Sequence, residues 1–255
     1  MLEPSRGIVA QVALRTWVKT LRHPVTLVFS FFQPLMWMLF FGFLFHRYAV
    51  ELPAGMAYLD FLAPGVCAMT VLLGASQSGV GFVRDMQTGF LARMLETPAA
   101  PGLMLAGRLG AETVRLLAQA VVVCLLGLAL GARMRWSAGP ALTALAALAL
   151  FAWGYAGLSS WIALRTKSQE TMAVFVHAVN LPVLFTSAAL VPVKHMPPWL
   201  AAVAAWNPLT LVAEALRGAL LAGSSPAGFG TLLPLALLAV ATSALAVRAM
   251  AGARE

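Results

Sequence analysis

Residues 25–45 read VTLVFSFFQPLMWMLFFGFLF, a run without a charged side chain. A bilayer core takes about 20 apolar residues as a helix, so this run is long enough to cross one. The pattern recurs along the chain. Residues 61–83, 113–130, 141–164, 171–192 and 229–247 are further runs of span length. They predict an all-α polytopic membrane protein with six transmembrane helices. Pro34, Pro64, Pro182 and Pro234 fall inside the runs; packed membrane helices tolerate them because neighbouring groups satisfy the freed backbone. Of the 255 residues, 61% are hydrophobic and 10% charged, and mean hydropathy is +0.86. An ordinary soluble domain carries about 25% charged residues. A cytosolic enzyme, a disordered chain and a secreted disulfide scaffold are therefore excluded.

Residues 199–221 are also long enough to span, but they hold Asn207, Pro208, Glu214 and Arg217. Asn at the N-cap followed by Pro at the first helical position marks a helix start. The stretch divides into helices over 198–205 and 208–221, each too short to cross. They read as a re-entrant or outer-surface pair inside an outer segment, 193–228. A seventh span is the alternative. With six spans and the N-terminus inside, the inner segments hold Arg6, Arg15, Lys19, Arg22, Arg84, Arg93, Arg108, Arg165, Lys167, Arg248 and Arg254. The outer segments hold Arg47, Arg133, Arg135, Lys194 and Arg217. Eleven basic residues against five place both termini in the cytoplasm. The net charge of +8 reflects this bias, not nucleic-acid binding.

Two inner segments are amphipathic. Over 8–22, Arg15, Lys19 and Arg22 form one stripe, and Leu14, Trp17, Val18 and Leu21 lie opposite. This suits a helix in the membrane interface within 1–24, touching lipid headgroups. The longest inner segment is 84–108. There Met86, Phe90, Leu91, Met94 and Leu95 gather on one helical face, and Asp85, Thr88, Arg93 and Glu96 lie elsewhere. An apolar face with a charged rim is what docking into a partner's groove requires; a helix lying on lipid would show the same periodicity. Residues 165–170, RTKSQE, are a second contact point or only a turn.

Catalytic motifs are absent. There is no GxxxxGK[ST] for ATP, no HExxH and no GxSxG. Cys67 and Cys124 lie in apolar runs without metal spacing and read as small core residues. No cofactor or metal is called for. Glu112 and Arg115 read as a structural i,i+3 pair. His177 and Asn180, three residues apart, fall on one face of the fifth span. They are pathway candidates, or interhelical hydrogen-bonding groups.

Four stretches together resemble the permease subunit of ABC-2 type exporters. They are Leu21-Arg22-His23-Pro24 leading to Gln33-Pro34, and Tyr58-Leu59-Asp60-Phe61-Leu62-Ala63-Pro64-Gly65. Arg84-Asp85 with Gly89 and Met94-Leu95-x-Thr97-Pro98 follows, then Asn207-Pro208-Leu209-Thr210 through Glu214-Ala215-Leu216-Arg217-Gly218. The resemblance covers nearly the whole chain, as one permease domain over 1–255. It implies a separate ABC ATPase subunit that binds the ATP and Mg2+, and a second permease copy, identical or not. It also implies export of a drug, lipid or glycan. The coupling helix would carry Asp85, Phe90, Leu91, Arg93, Met94, Leu95 and Glu96. An ion-gradient carrier relying on His177 is the rival expectation. An intramembrane enzyme is disfavoured for want of a catalytic constellation.

Overall fold

The computed structural model describes residues 24–45, 56–95, 100–134, 138–221 and 229–252, with the backbone alone for 24–30, 92, 94, 95 and 229. The basic stripe of Arg15, Trp17, Lys19 and Arg22 lies outside the described residues, as does Glu96. Among the described residues the chain is helical, without strands. Helix α1 is Pro24–Leu44, α2 is Tyr58–Gln87 and α3 is Phe90–Leu95. Next come α4, Pro101–Ala129, and α5, Ala138–Thr166. Short helices α6, Gln169–Ala178, and α7, Asn180–Phe185, follow. After a single 3-10 turn come α8, Pro198–Trp206, and α9, Pro208–Leu220. The last is α10, Phe229–Ala251.

Local chemistry sets these limits. The Asp60 carboxylate, in the first turn of α2, accepts the Ala57 N–H at 2.8 Å, satisfying a helix-start donor. Gly89, at φ +67°, supplies the left-handed residue that ends α2 and lets α3 turn away. Pro101 opens α4 and Pro208 opens α9, where a missing N–H costs nothing. Pro182 cannot bond the carbonyl of Ala178, and its ring crowds that carbonyl. The fifth apolar run therefore breaks at Val179 into α6 and α7.

By length and apolarity α2, α4, α5 and α10 can each cross a membrane. The α8–α9 pair would add a fifth crossing if straight, but it bends by 80°. Of the six expected spans, four are unbroken helices of crossing length; the other two expected runs fall on the 21-residue α1 and on the broken α6–α7. The expected division at Asn207-Pro208 is present.

Two boundaries are corrected. Helix α2 continues through Arg84 and Asp85 to Gln87, and α4 starts at Pro101, well before Thr113. The segment 84–108 therefore begins within α2 and ends within α4, with the short α3 between them. Its charges do not stop the helices because Asp85 and Arg108 pair with each other.

Helix α2 is the axis of the bundle, buried along most of its length. Gln169 at the start of α6 hydrogen-bonds Gln87 at the end of α2. Tyr58 at the start of α2 donates to the Leu190 carbonyl at 2.9 Å. Residues 169–190 therefore run antiparallel to α2 over its full length. Helices α5 and α10 are parallel: Gly154 sits against Ala239, and one turn on Gly157 sits against Thr242. Small residues there let the two backbones approach closely.

Candidate functional site

The signature stretches 58–65 and 207–218 meet at the end of the bundle where α2 begins, through Phe61 and Arg217, 156 residues apart in sequence. Arg217 of α9 is the centre. Its Nε donates to the Phe61 carbonyl at 3.2 Å, one Nη to the Ala189 carbonyl at 2.9 Å and the other to Glu214 Oε1 at 2.7 Å. The guanidinium lies 3.5 Å from the centroid of the Phe61 ring. The Arg217 side chain is 4% exposed and that of Glu214 52%. Such a charge is tolerated in an apolar bundle because every part of its donor fork is used. Asn207 caps α9 by accepting from the Leu209 N–H at 2.9 Å, and its amide donates to Val183 O and Thr186 Oγ1. Thr210 Oγ1 accepts the Ala188 N–H at 2.9 Å. The segment after α7 is thus bonded to both α2 and α9. Asp60 also accepts the Arg133 N–H at 2.6 Å, tying α2 to the end of α4.

Midway along α2 lies a buried polar chain that sequence spacing did not reveal. Tyr155 donates to Asn180 Oδ1 at 2.7 Å, and the Asn180 amide donates to Ser76 Oγ at 2.7 Å. Ser159 donates to the Ser76 carbonyl at 2.6 Å and accepts the Gly79 N–H at 3.0 Å. Helices α2, α5 and α7 are joined there. The shared face expected for His177 and Asn180 is corrected. The break at Val179 turns Asn180 inward, to 1% exposure, while His177 stays exposed on α6. Asn180 has the interhelical role; His177 faces away from the protein's own core.

At the opposite end, Arg108 of α4 pairs with Asp85 of α2. Its guanidinium stacks 4.5 Å from the Phe82 ring centroid and reaches the Ser78 carbonyl at 3.4 Å. This brace closes the base of the α2–α4 turn that carries α3. Two members of the expected coupling set, Asp85 and Leu91, take part in the chain's own packing. Asp85 is buried and paired within the bundle, and Leu91 is packed into the protein's own core at 7% exposure. Phe90 is part-buried and Arg93 exposed, with Arg93 reaching back to the Thr88 carbonyl at 3.4 Å. Met94 and Leu95 have only their backbone described, on α3.

Glu112 and Arg115 form the expected pair at 2.7 Å, and Arg115 extends to Gln119 Oε1 at 3.3 Å. The cysteines prove to be neighbours: Cys124 Sγ lies 3.4 Å from Cys67 Sγ, and Cys67 reaches the Ala120 carbonyl at 3.3 Å. Both are buried free thiols between α2 and α4. Among the described residues no group of three or more His, Cys, Asp or Glu could hold a metal ion.

The arrangement is a helical bundle with bracing at both ends. Known proteins agree with it. The ABC-2 type transporter family model matches residues 9–221. A putative transport permease, ycf38, of Pyropia yezoensis is 30% identical over 220 residues, covering 85% of this chain and 74% of that protein. The daunorubicin resistance ABC transporter permease protein DrrB1 of Streptomyces coeruleorubidus is 26% identical over 76% of this chain and 68% of its own. A probable doxorubicin resistance ABC transporter permease protein, DrrC, of Mycobacterium tuberculosis is 25% identical over 86% and 80%. A match reaching from the first apolar run through Arg217, on a bundle of membrane-length helices, makes this chain a multi-pass membrane permease of the ABC-2 type transporter family.

Proposed function

We infer that the chain is the membrane subunit of an ATP-driven exporter and hydrolyses no ATP itself. A separate ABC ATPase subunit would bind ATP and Mg2+, and two permease copies would complete the unit. The observation that carries this reading is the α2–α4 turn. Short α3 sits where the axial helix ends, on a base stiffened by the Asp85–Arg108 pair. A push on such a turn moves α2, and α2 touches most of the bundle. Nucleotide-driven motion then becomes a shift in helix packing, through contacts that differ between two states.

Three further features fit. Val247 of α10 lies beside Gly102 at the start of α4, so the last helix ends on the side of the α2–α4 turn. That agrees with six crossings and both termini on the ATPase side, the cytoplasm. The outward face of α6–α7 carries Val174, His177, Leu181 and Phe185, all exposed in the single chain. An imidazole facing lipid is costly, so this face suits the second permease copy. Drug-resistance permeases among the relatives support an amphipathic drug, lipid or glycan-type cargo moved outward.

The test separates docking from folding. Phe90→Ala with Met94→Ala should leave the permease inserted and stable yet release the co-purifying ATPase, or abolish transport while hydrolysis continues. Leu91→Ala should instead destabilise the permease itself by about 2–5 kcal/mol, as large-to-small core changes do. Normal transport by the double variant with its ATPase bound would move the contact to 165–170. Transport without ATP hydrolysis, lost in His177→Ala, would favour the gradient-driven carrier.

A further inference from the structure

Helix α2 is closed over its first half and opens along one stripe in its second. From Tyr58 to Leu72 every residue but Leu59 is buried; beyond that Leu73, Gly74, Gln77, Val80, Gly81 and Arg84 open on one side. Spaced by three or four residues, they share a face, and Gln77 and Arg84 are its fully exposed members. Helix α4 lays a polar stripe beside it, with Arg108, Glu112, Arg115 and Gln119 at the same spacing. Two glycines make room for the arginines. A Cβ at Gly81 would lie 3.4 Å from an Arg108 Nη, and one at Gly74 would lie 3.8 Å from an Arg115 Nη and from Gln119 Oε1. Gln77 is ten residues before the end of α2 and Arg115 fourteen beyond the start of α4. At about 1.5 Å per residue both lie roughly 15–20 Å from the α2–α4 turn. That is mid-depth in a bilayer core of about 30 Å.

The seam presents donors with nothing to bond. Among the described residues the Gln77 amide makes no hydrogen bond and the Arg84 guanidinium no ion pair. Arg115 donates its Nε to Glu112 at 2.7 Å and one Nη to Gln119 at 3.3 Å. Its other Nη, the one over Gly74, has no partner among the described residues. That nitrogen is open, not sealed in: the Arg115 side chain is 20% exposed, and the enclosed unbonded polar atoms are at Ser78, Arg108, Thr113 and Ser160. Three guanidiniums along the seam face two carboxylates, Asp85 and Glu112, which leaves one positive charge over. Cationic donors at this depth are costly against acyl tails. An anionic acceptor satisfies them best, since charge-assisted hydrogen bonds are about twice as strong as neutral ones. The rest of the open stripe is apolar, with Leu73 and Val80 part-buried on it.

We propose that this seam binds an amphipathic anion from the membrane. Its carboxylate, phosphate or sulfonate head accepts from Gln77 and the open Nη of Arg115, one helical turn apart along α2. Its apolar body lies along Leu73 and Val80, and Arg84 attracts the head from the α2–α4 end. The site stands on the geometry of the seam and not on the exporter reading.

Dodecyl phosphate carrying a diazirine near its head is the probe. The full-length permease is irradiated with it in phosphatidylcholine nanodiscs, and labelled peptides are quantified by mass spectrometry. Labelling should saturate and should concentrate on peptides holding residues 73–84 and 108–119. Plain dodecyl phosphate should compete; dodecanol and dodecyltrimethylammonium should not. Competition by added phosphatidylglycerol would make a membrane lipid the natural occupant, and its failure a free amphiphile. Gln77→Glu keeps the side chain's size and sets a carboxylate against the head. It should cut labelling about tenfold, the worth of one hydrogen bond to a charged group, with Tm unchanged. Gln77→Leu should cut it several-fold as well, and Arg84→Gln should do so most at low salt. Arg248→Gln, at an exposed arginine of α10 away from the seam, should leave labelling as in the parent. Labelling unaltered in Gln77→Glu and Gln77→Leu, or lowered as much by Arg248→Gln, would overturn the site. So would equal competition by inorganic phosphate, which has no apolar body. Separation of two permease copies by Gln77→Glu would also overturn it, because the seam would then be covered by protein.

Discussion

Gly65→Ala should prevent the bundle from closing. A Cβ at Gly65 would overlap the Ala189 carbonyl oxygen outright and fall 2.8 Å from its carbon and 3.2 Å from its Cα. All three are backbone atoms, so no side chain can rotate away. Relief requires moving the whole segment after α7 off α2. That motion would break the Tyr58–Leu190 bond and the Arg217–Ala189 bond together. Overpacking usually costs 1–3 kcal/mol; a backbone-on-backbone clash belongs at or above the top of that range, about 3 kcal/mol or more. For a chain of this size that is a fall in Tm of roughly 6–12 °C, read by thermal unfolding in detergent. Gly139→Ala is the control, because a Cβ there meets nothing within 4 Å; its stability should stay within about 0.5 kcal/mol of the parent.

The second large effect is expected at Arg217. Arg217→Met keeps much of the apolar stem but removes three hydrogen bonds that join α2, α9 and the segment after α7. Hydrogen bonds to charged groups contribute about 1.5–3 kcal/mol each at most, and they are not additive. A net loss of about 2–4 kcal/mol follows. Glu214, half exposed, can take up water once its partner has gone, so no stranded buried charge adds to the cost. Glu214→Gln should therefore cost less than about 1 kcal/mol. Arg217→Lys should behave like Arg217→Met, since one ammonium cannot reach the carbonyls of Phe61 and Ala189 and also Glu214 in the plane a guanidinium spans. Chemical unfolding followed by tryptophan fluorescence orders the three variants. Arg217→Lys as stable as the parent would show that charge, not the planar fork, holds the junction.

Much of this bundle was legible because hydropathy reports burial in lipid directly. The long helices, the break at Asn207-Pro208 and the Glu112–Arg115 pair all follow from local composition. What stayed hidden was non-local. Hydropathy registers the charges of Arg84, Asp85 and Arg108 but not that two of them neutralise each other, so both flanking helices seemed to end early. The i,i+3 rule put His177 and Asn180 on one face, and it fails where a helix breaks; Pro182 was the signal. Arg217 was read as paired, and its pair with Glu214 is present. Its deep burial was not legible, because two of its partners are main-chain carbonyls at 61 and 189, and a carbonyl leaves no mark in sequence. The Ser76–Tyr155–Ser159–Asn180 chain and the Cys67–Cys124 contact were missed for the same reason. Each joins residues on separate helices, and no spacing rule reaches across the gap.

The 80° bend between α8 and α9 also settles a question of parity. Every full crossing reverses the direction of the chain; a pair of half-length helices folded at Asn207 reverses it not at all. Residues 169–190 run opposite to α2 and to α5, so α10 runs with α5 only if no full crossing lies between residues 190 and 229. The parallel register of Gly154 with Ala239 and Gly157 with Thr242 requires the bend. Were α8 and α9 to straighten into one crossing, α10 would enter the bundle upside down, with Arg248 at the opposite end. One capping asparagine and the proline after it thus choose the end of the bundle at which the last helix finishes.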